Sequence, residues 1–177
     1  MKKLLSGQQI DKALDRLYEA VVAQLPADCP VAVVGIRTRG ETLARRIVQR
    51  LQADKPQLTV HFGVLDITFY RDDLSRRRGA PLVRATEIDF DLDETWLLLV
   101  DDVLMTGRSI RAALDALADF GRPRVVRLAV LVDRGGRELP IAADFVGRTV
   151  KVPPPQRVQV RLKETDGEEG VFIVEAG

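Results

Sequence analysis

Cysteine is nearly absent from this chain of 177 residues. A single thiol, Cys29, excludes an intrachain disulfide and a cysteine metal cluster. Long apolar runs are missing as well, so no segment reads as a membrane span and no membrane partner is expected. The opening MKKLLSGQQI carries two lysines but neither an apolar core nor a small-residue cleavage site. No signal peptide is expected, and the expected compartment is the cytoplasm. Charge of one sign is not in excess: 27 cations face 26 anions, a net charge of +1. Histidine is represented once, by His61 on an apolar strand, where it is read as structural. Trp96 and the phenylalanines are read as packing residues.

What is present is periodicity. Ser6 and Gln9 have capping-box spacing. Ile10, Leu14, Leu17, Tyr18, Val21, Val22 and Leu25 then recur on one helical face, which predicts a helix over 7–25 ended by Pro26 and Pro30. VAVVGI (31–36) reads as a buried strand and RTRGE as a loop. Leu43, Ala44, Ile47, Val48 and Leu51 mark a second helix, and LTVHFGVLDI (58–67) a second strand. Strand, helix, strand is the pattern of a parallel sheet. Residues 70–95 break the rhythm; they are charged, with Gly79 and Pro81 at the middle, and read as a flap projecting from the core. WLLLV (96–100) resumes the sheet. A helix over 107–120 follows, stopped by Gly121 and Pro123, and then the strand VVRLAVLV (125–132). Short strands are expected near 144–151, 157–163 and 171–175, with the prolines at 153–155 as an extended connector. The expected fold class is α/β, a single domain over 1–177: a central, mostly parallel sheet flanked by helices, with a flexible flap at about 70–95 and a strand-rich C-terminal end.

The chemistry concentrates in LLLVDDVLMTGRSI (97–110). Open parallel sheets bind ligands beyond the carboxyl ends of their strands, and Asp101 and Asp102 stand at such an end. The loop after them opens a helix, whose first NH groups lack intrahelical partners and whose dipole favours anions. Met105, Thr106, Gly107, Arg108 and Ser109 therefore read as a phosphate cradle. The dipole supplies about 0.3–1 kcal/mol, whereas each hydrogen bond to a charged group supplies about 1.5–3 kcal/mol. Converging donors outweigh the dipole. The two carboxylates must point away from the phosphate, toward sugar hydroxyls or a hydrated Mg²⁺. Phosphate beside diol fits a ribose 5-phosphate. A strand-end Asp that only caps a helix explains one acid but not two. The P-loop and dinucleotide-binding patterns are absent, and the 101–109 loop has no lysine. The cations are mostly arginine and cluster at Arg76–Arg77–Arg78, at Arg122, Arg124 and Arg127, and at Arg134 and Arg137. Arginine suits bidentate phosphate recognition.

LLLVDDVLMTGRS resembles the phosphoribosyl pyrophosphate (PRPP) motif of the type I phosphoribosyltransferases. Within that family, VGIRTRGETLA, LDITFYRDDLS and GRPRVVRLAVLVDRGGRELPIAADFVG resemble the PyrR proteins, which attenuate pyrimidine operons and carry uracil phosphoribosyltransferase activity. The resemblance runs from about residue 31 to 148. It implies a reaction of uracil with PRPP, in the presence of Mg²⁺, to give UMP and pyrophosphate. It places ribose and metal at Asp101 and Asp102, the 5-phosphate at 103–109, and pyrophosphate at Thr38, Arg39 and Gly40. It places a mobile catalytic loop at 70–85 with Arg71, Asp72 and Asp73 at its start, Arg71 sharing catalysis with the acidic pair. Val132, Asp133 and Ile141 fall in the implied base-binding region. A UMP-responsive contact with the mRNA leader of a pyrimidine operon is implied too, with Arg16, Arg134, Arg137, Arg148 and Lys151 as candidates. So is a homodimer or larger homo-oligomer.

The chain departs from that pattern in places. Gly136 stands where many relatives carry a histidine associated with RNA, Tyr18 where relatives often carry another, and RTVKVPPPQRV replaces a more polar stretch. Met105 and Ser109 stand where aromatic and threonine residues are common. These changes weigh on RNA binding more than on transfer. Two other readings stay open: a transferase for another base without regulation, and an RNA-binding regulator with little catalysis. A phospho-acceptor receiver domain ranks far below, because its acidic pair follows the first strand.

Overall fold

Strands with apolar side chains on both faces need cover on both faces, and the architecture supplies it. The computed structural model describes residues 1–72 and 85–175. In chain order the elements are β1 (Lys2–Ser6), α1 (Gly7–Ala23), β2 (Val31–Ile36), α2 (Arg39–Asp54), β3 (Val60–Leu65), a 3₁₀ turn (Thr68–Tyr70), β4 (Trp96–Leu104), α3 (Arg108–Leu117), β5 (Val125–Asp133), β6 (Phe145–Thr149), β7 (Arg157–Arg161), α4 (Lys163–Asp166) and β8 (Gly170–Val174). Five strands form a parallel sheet in the order β3-β2-β4-β5-β6. The remaining three form an antiparallel sheet, β1-β8-β7.

Alternation along the strands sorts the core into two layers. Val31, Val33, Leu98, Val100, Ala129 and Leu131 pack under α1 and α2. Ala32, Val34, Leu97, Leu99, Leu128 and Val130 pack under α3, with Leu92 and Ile67. Each fully buried Leu or Val contributes about 1.5–3 kcal/mol. The capping box at Ser6 and Gln9 is formed in both directions, the Ser6 NH donating to Gln9 Oε1 at 2.8 Å and the Gln9 NH to Ser6 Oγ at 3.4 Å.

Several expectations change. β1 was not expected; it exists because β8 supplies its partner, Lys2 opposite Ile173 and Ser6 opposite Gly170. α4 was not expected either. The segment near 144–151 forms β6, which joins the parallel sheet beside β5. The second half of the expected flap does not project. The Val64 and Glu87 main chains bond to each other at 2.8–2.9 Å, Leu92 is fully buried, and Phe90 stacks on His61 with centroids 4.9 Å apart. His61 is thus a packing residue. The other half of the flap, 73–84, lies outside the described residues, and the expectation for Asp73 lies there with it.

Candidate active site

The sheet order reverses between β2 and β4: β2 passes outward to β3, and β4 passes the other way to β5. Such a switch point opens a crevice at the carboxyl ends of the strands. Pairing of β4 with β2 stops at Gly35 opposite Val100, yet β4 runs on beside β5 to Leu104 opposite Asp133. Asp101 and Asp102 therefore lie inside the longer strand, at the point where one neighbour has turned away. The expected loop is correspondingly shorter, since Val103 and Leu104 are strand and only Met105, Thr106 and Gly107 separate β4 from α3.

The acids are held by main chain. The Asp102 NH donates to Asp101 Oδ1 at 2.9 Å, and the Val103 NH donates to Asp102 Oδ1 at 2.9 Å. Burial pushes Asp101 well above the ordinary carboxylate range, the adjacent Asp102 adds to the rise, and the positive charge of Arg71 opposes it. Asp102 is raised too, chiefly by burial, with Asp101 and the charge of Arg39 opposing.

The turn after β2 is two residues long, with a cis peptide between Arg37 and Thr38. Gly40 lies within α2, and its φ is not positive. A Cβ there would sit 2.5 Å from the Val100 carbonyl oxygen and 3.1 Å from Asp101 Cα. Glycine is required because α2 begins in contact with the acidic strand. Arg39 grips Asp166 of α4 in bidentate fashion, Nη2 to Oδ1 at 2.7 Å and Nε to Oδ2 at 3.1 Å. That pair holds Arg39 above its usual pKa, and Asp102 contributes. Asp166 lies below the usual carboxylate range; burial acts against this, while the bond from Arg39 lowers it.

Gly107 has φ +91°, a left-handed conformation that favours glycine, and serves as N-cap of α3. The carbonyl of Thr106 accepts from the NH groups of Glu138 and Leu139 at 2.9 and 3.0 Å. Arg137 donates to the carbonyls of Met105 (2.9 Å) and Ile141 (2.7 Å) and to the Asp133 carboxylate (2.5 Å). At the start of α3 the Arg108 NH donates to Thr106 Oγ1 at 3.2 Å, so Thr106 is fixed to the loop through both its carbonyl and its hydroxyl. Arg108 bridges Asp72 at 2.5 Å and Glu138 at 2.8 Å, and Arg111 also reaches Asp72 at 3.1 Å. Asp72 thereby fastens the start of the flap to α3.

Two cavities meet here. One of about 350 Å³ is walled by Thr38, Asp66, Thr68, Arg71, Asp101 and Asp102. The other, of about 750 Å³, lies between 103–110 and the segment from Pro154 to Val158 that leads into β7, with Arg71, Asp72, Arg134 and Glu138. Arg71, Val103 and Ser109 belong to both. Not every expected residue comes to them. Val132 is fully buried in the core, the Asp133 carboxylate is taken up by Arg137, and Ile141 packs near Gly107; none of the three lines the larger cavity. Pro154 to Val158 do line it, although proline-rich composition reads only as a connector.

The expected RNA residues also divide. Arg16, Arg148 and Lys151 are exposed, and Arg16 donates to the carbonyl of Gly147 at 3.4 Å. Arg134 is corrected: it is only 6% exposed and donates to the carbonyls of Val152 and Gln156. Arg137 is corrected as well, since its guanidinium is spent within the loop. Tyr18 is buried, donates to Asp54 at 2.9 Å, lies under Arg50, and is pushed up to about 12, first by burial and then by that bond.

A model of the phosphoribosyl transferase domain matches residues 1–160. The bifunctional protein PyrR of Roseiflexus sp. (strain RS-1) is 52% identical over 174 residues, covering 98% of this chain and 94% of that protein. The chain belongs to the PyrR family of phosphoribosyltransferases. The bifunctional protein PyrR of Chloroflexus aurantiacus is 50% identical over 173 residues, covering 98% and 94%. Among solved structures, the hypoxanthine phosphoribosyltransferase of Trypanosoma cruzi superposes with a TM-score of 0.71 at 16% identity, covering 100% of this chain and 98% of that one. The hypoxanthine-guanine enzyme of Bacillus anthracis does so at 0.72 and 13%, covering 99% and 98%. At such identities these two establish the type I fold and nothing about the base. PyrR membership accounts for the acidic pair at the switch point and for the Thr-Gly loop that follows it. No helix among the described residues is long and apolar enough to cross a membrane.

Proposed function

We propose that the protein transfers the phosphoribosyl group of PRPP to uracil, giving UMP and pyrophosphate, and that it binds the mRNA leader of a pyrimidine operon in response to UMP. The observation that carries the transferase reading is the acidic pair in the wall of the smaller of two joined cavities. The smaller is polar and edged by Thr38 and Arg71, fitting a diphosphate. The larger joins the amide-rich start of α3 to a wall of prolines and Val158, fitting a 5-phosphate and a flat base.

In this reading Asp101 and Asp102 accept from the ribose hydroxyls, and the 105–109 segment holds the 5-phosphate. Thr38 receives the diphosphate, with Arg37 and Arg71 on the same wall, while the Arg39 guanidinium stays on Asp166 behind it. A ring nitrogen of uracil bonds to C1 and loses its proton, while the bond from C1 to the pyrophosphate oxygen breaks with its electron pair on the leaving group. Positive charge builds at C1 and negative charge on the leaving diphosphate before the new bond is complete, so the acids stabilise the first and Arg71 the second by fixed electrostatics. Alignment of the two reactants supplies the rest. The carboxylates suit Mg²⁺: they are adjacent, buried and raised by desolvation, so a hydrated cation relieves them. Among the described residues no group of three or more His, Cys, Asp or Glu side chains could hold a metal, which fits an ion completed by substrate oxygens and water. When bound, it would neutralise diphosphate charge. The reading also includes a cytoplasmic setting and a homo-oligomer.

The test is UMP formation from PRPP and uracil, with cytosine, hypoxanthine and guanine as competing bases. Uracil is expected to be the preferred base. Preference for a purine, or no product with any base, would overturn the reading.

A further inference from the structure

The larger cavity has one wall that belongs to neither sheet. Pro154 to Gln156 lie in the irregular connector between β6 and β7. Its own turn is a single bond, from the Gln156 NH to the Pro153 carbonyl at 3.0 Å. Arg134 grips it at two points: Nη2 donates to the Val152 carbonyl at 2.7 Å and Nη1 to the Gln156 carbonyl at 2.9 Å. Main chain at the same residue reaches the opposite wall, its NH donating to the Leu104 carbonyl at 3.1 Å, one residue before Met105. One residue therefore joins the phosphate loop to the connector.

We propose that Arg134 is a positioning residue for the nucleobase: it sets the separation of the two walls between which the ring is held. The inference rests on the transferase reading given above. Its chemistry sets Arg134 apart from an ordinary strut. The guanidinium is withdrawn from water, its Nε is buried without a hydrogen-bond partner, and among the described residues no carboxylate pairs with it. Burying a cation on carbonyl partners alone is costly, and an apolar side chain of similar volume would hold the fold more cheaply. What an apolar side chain cannot do is fix two carbonyls four residues apart at one distance from β5. In the turn beside it Gly135 and Gly136 have φ +70° and +80°; Gly135 faces open space, and a Cβ on Gly136 would meet the Met105 side chain at 3.7 Å.

The experiment is steady-state UMP synthesis by the full-length protein, with uracil and PRPP varied separately. Arg134→Met keeps the length and loses both donors. Its KM for uracil is expected to rise about tenfold, equivalent to ~1.4 kcal/mol, with KM for PRPP within about twofold. Arg134→Lys, able to reach one carbonyl at a time, is expected to recover part of the loss, to about threefold above wild type. A purely structural role would lower the amount of active enzyme, and hence kcat, without separating the two KM values. A folded Arg134→Met with unchanged KM for uracil, or with equal rises for both substrates, overturns the inference. If that variant does not fold, Arg134→Lys decides on the same criterion. If the wild type makes no UMP, the transferase reading fails first and the inference falls with it.

Discussion

Asp101 shows how a single residue can favour chemistry over stability. Its folded-state pKa is raised by burial and by Asp102. A raised carboxyl adds stability that is fully present below the unfolded value, about 3.9, and is lost as pH rises through the folded value. At pH 7.5 the buried acid therefore works against the fold. Asn at 101 keeps the oxygen that accepts from the Asp102 NH and removes the charge. In the absence of Mg²⁺ and PRPP, Asp101→Asn is expected to melt about 2–4 °C higher than wild type at pH 7.5, or ~1 kcal/mol. Near pH 4 the difference should vanish. Turnover should fall by about 100-fold or more. Melting curves at both pH values and an initial-rate assay check this; a variant that melts lower at pH 7.5 contradicts it. Residue type was a good guide here, since two adjacent acids after an apolar run already imply a sugar or cation. It was a poor guide at Arg134 and Arg137. Both look like phosphate contacts in sequence, because an arginine beside glycines gives no sign of whether carbonyls or solvent will receive its donors.

Elements were legible where their stabilising contacts are local. α1 could be read from its cap and its apolar face, β2 from its β-branched run, and α3 from Gly107 and the spacing of Ile110, Ala113 and Leu117. β1 could not, because Lys2–Ser6 is a strand only by virtue of Val171 and Phe172 far along the chain. The same holds for 85–95, whose charges suggest solvent while Leu92 and Phe90 anchor it. The start of α2 yields a prediction at this scale. A methyl group at Gly40 collides with the Val100 carbonyl, a backbone atom that cannot swing aside. Gly40→Ala is expected to cost about 1–3 kcal/mol and to raise KM for PRPP by displacing Thr38. Denaturant unfolding and kinetics measure the two effects, and wild-type values for both would show that α2 can slide without consequence.

For the whole molecule, charge is balanced, so any nucleic-acid surface must be local. Arg16, Arg148 and Lys151, exposed where α1 meets β6, are the surface we propose for it. Replacing Arg148 and Lys151 together by Glu is expected to weaken binding of a pyrimidine-operon leader about tenfold or more near 0.15 M salt and to flatten its salt dependence. Gel shifts at two salt concentrations decide; unchanged affinity would move the surface elsewhere. The small sheet is tied to α2 through the segment between β7 and β8, by Arg39 to Asp166 and by Arg46 to Glu164 and Glu169, at 2.6–2.8 Å for the shortest contacts.

That small sheet also bears on how the chain folds. Its outer strand β1 and its middle strand β8 are separated in sequence by the whole parallel layer. Pairing Lys3 with Phe172 and Leu5 with Val171 therefore closes a loop that encloses all five parallel strands, a closure whose entropic cost grows only slowly with length.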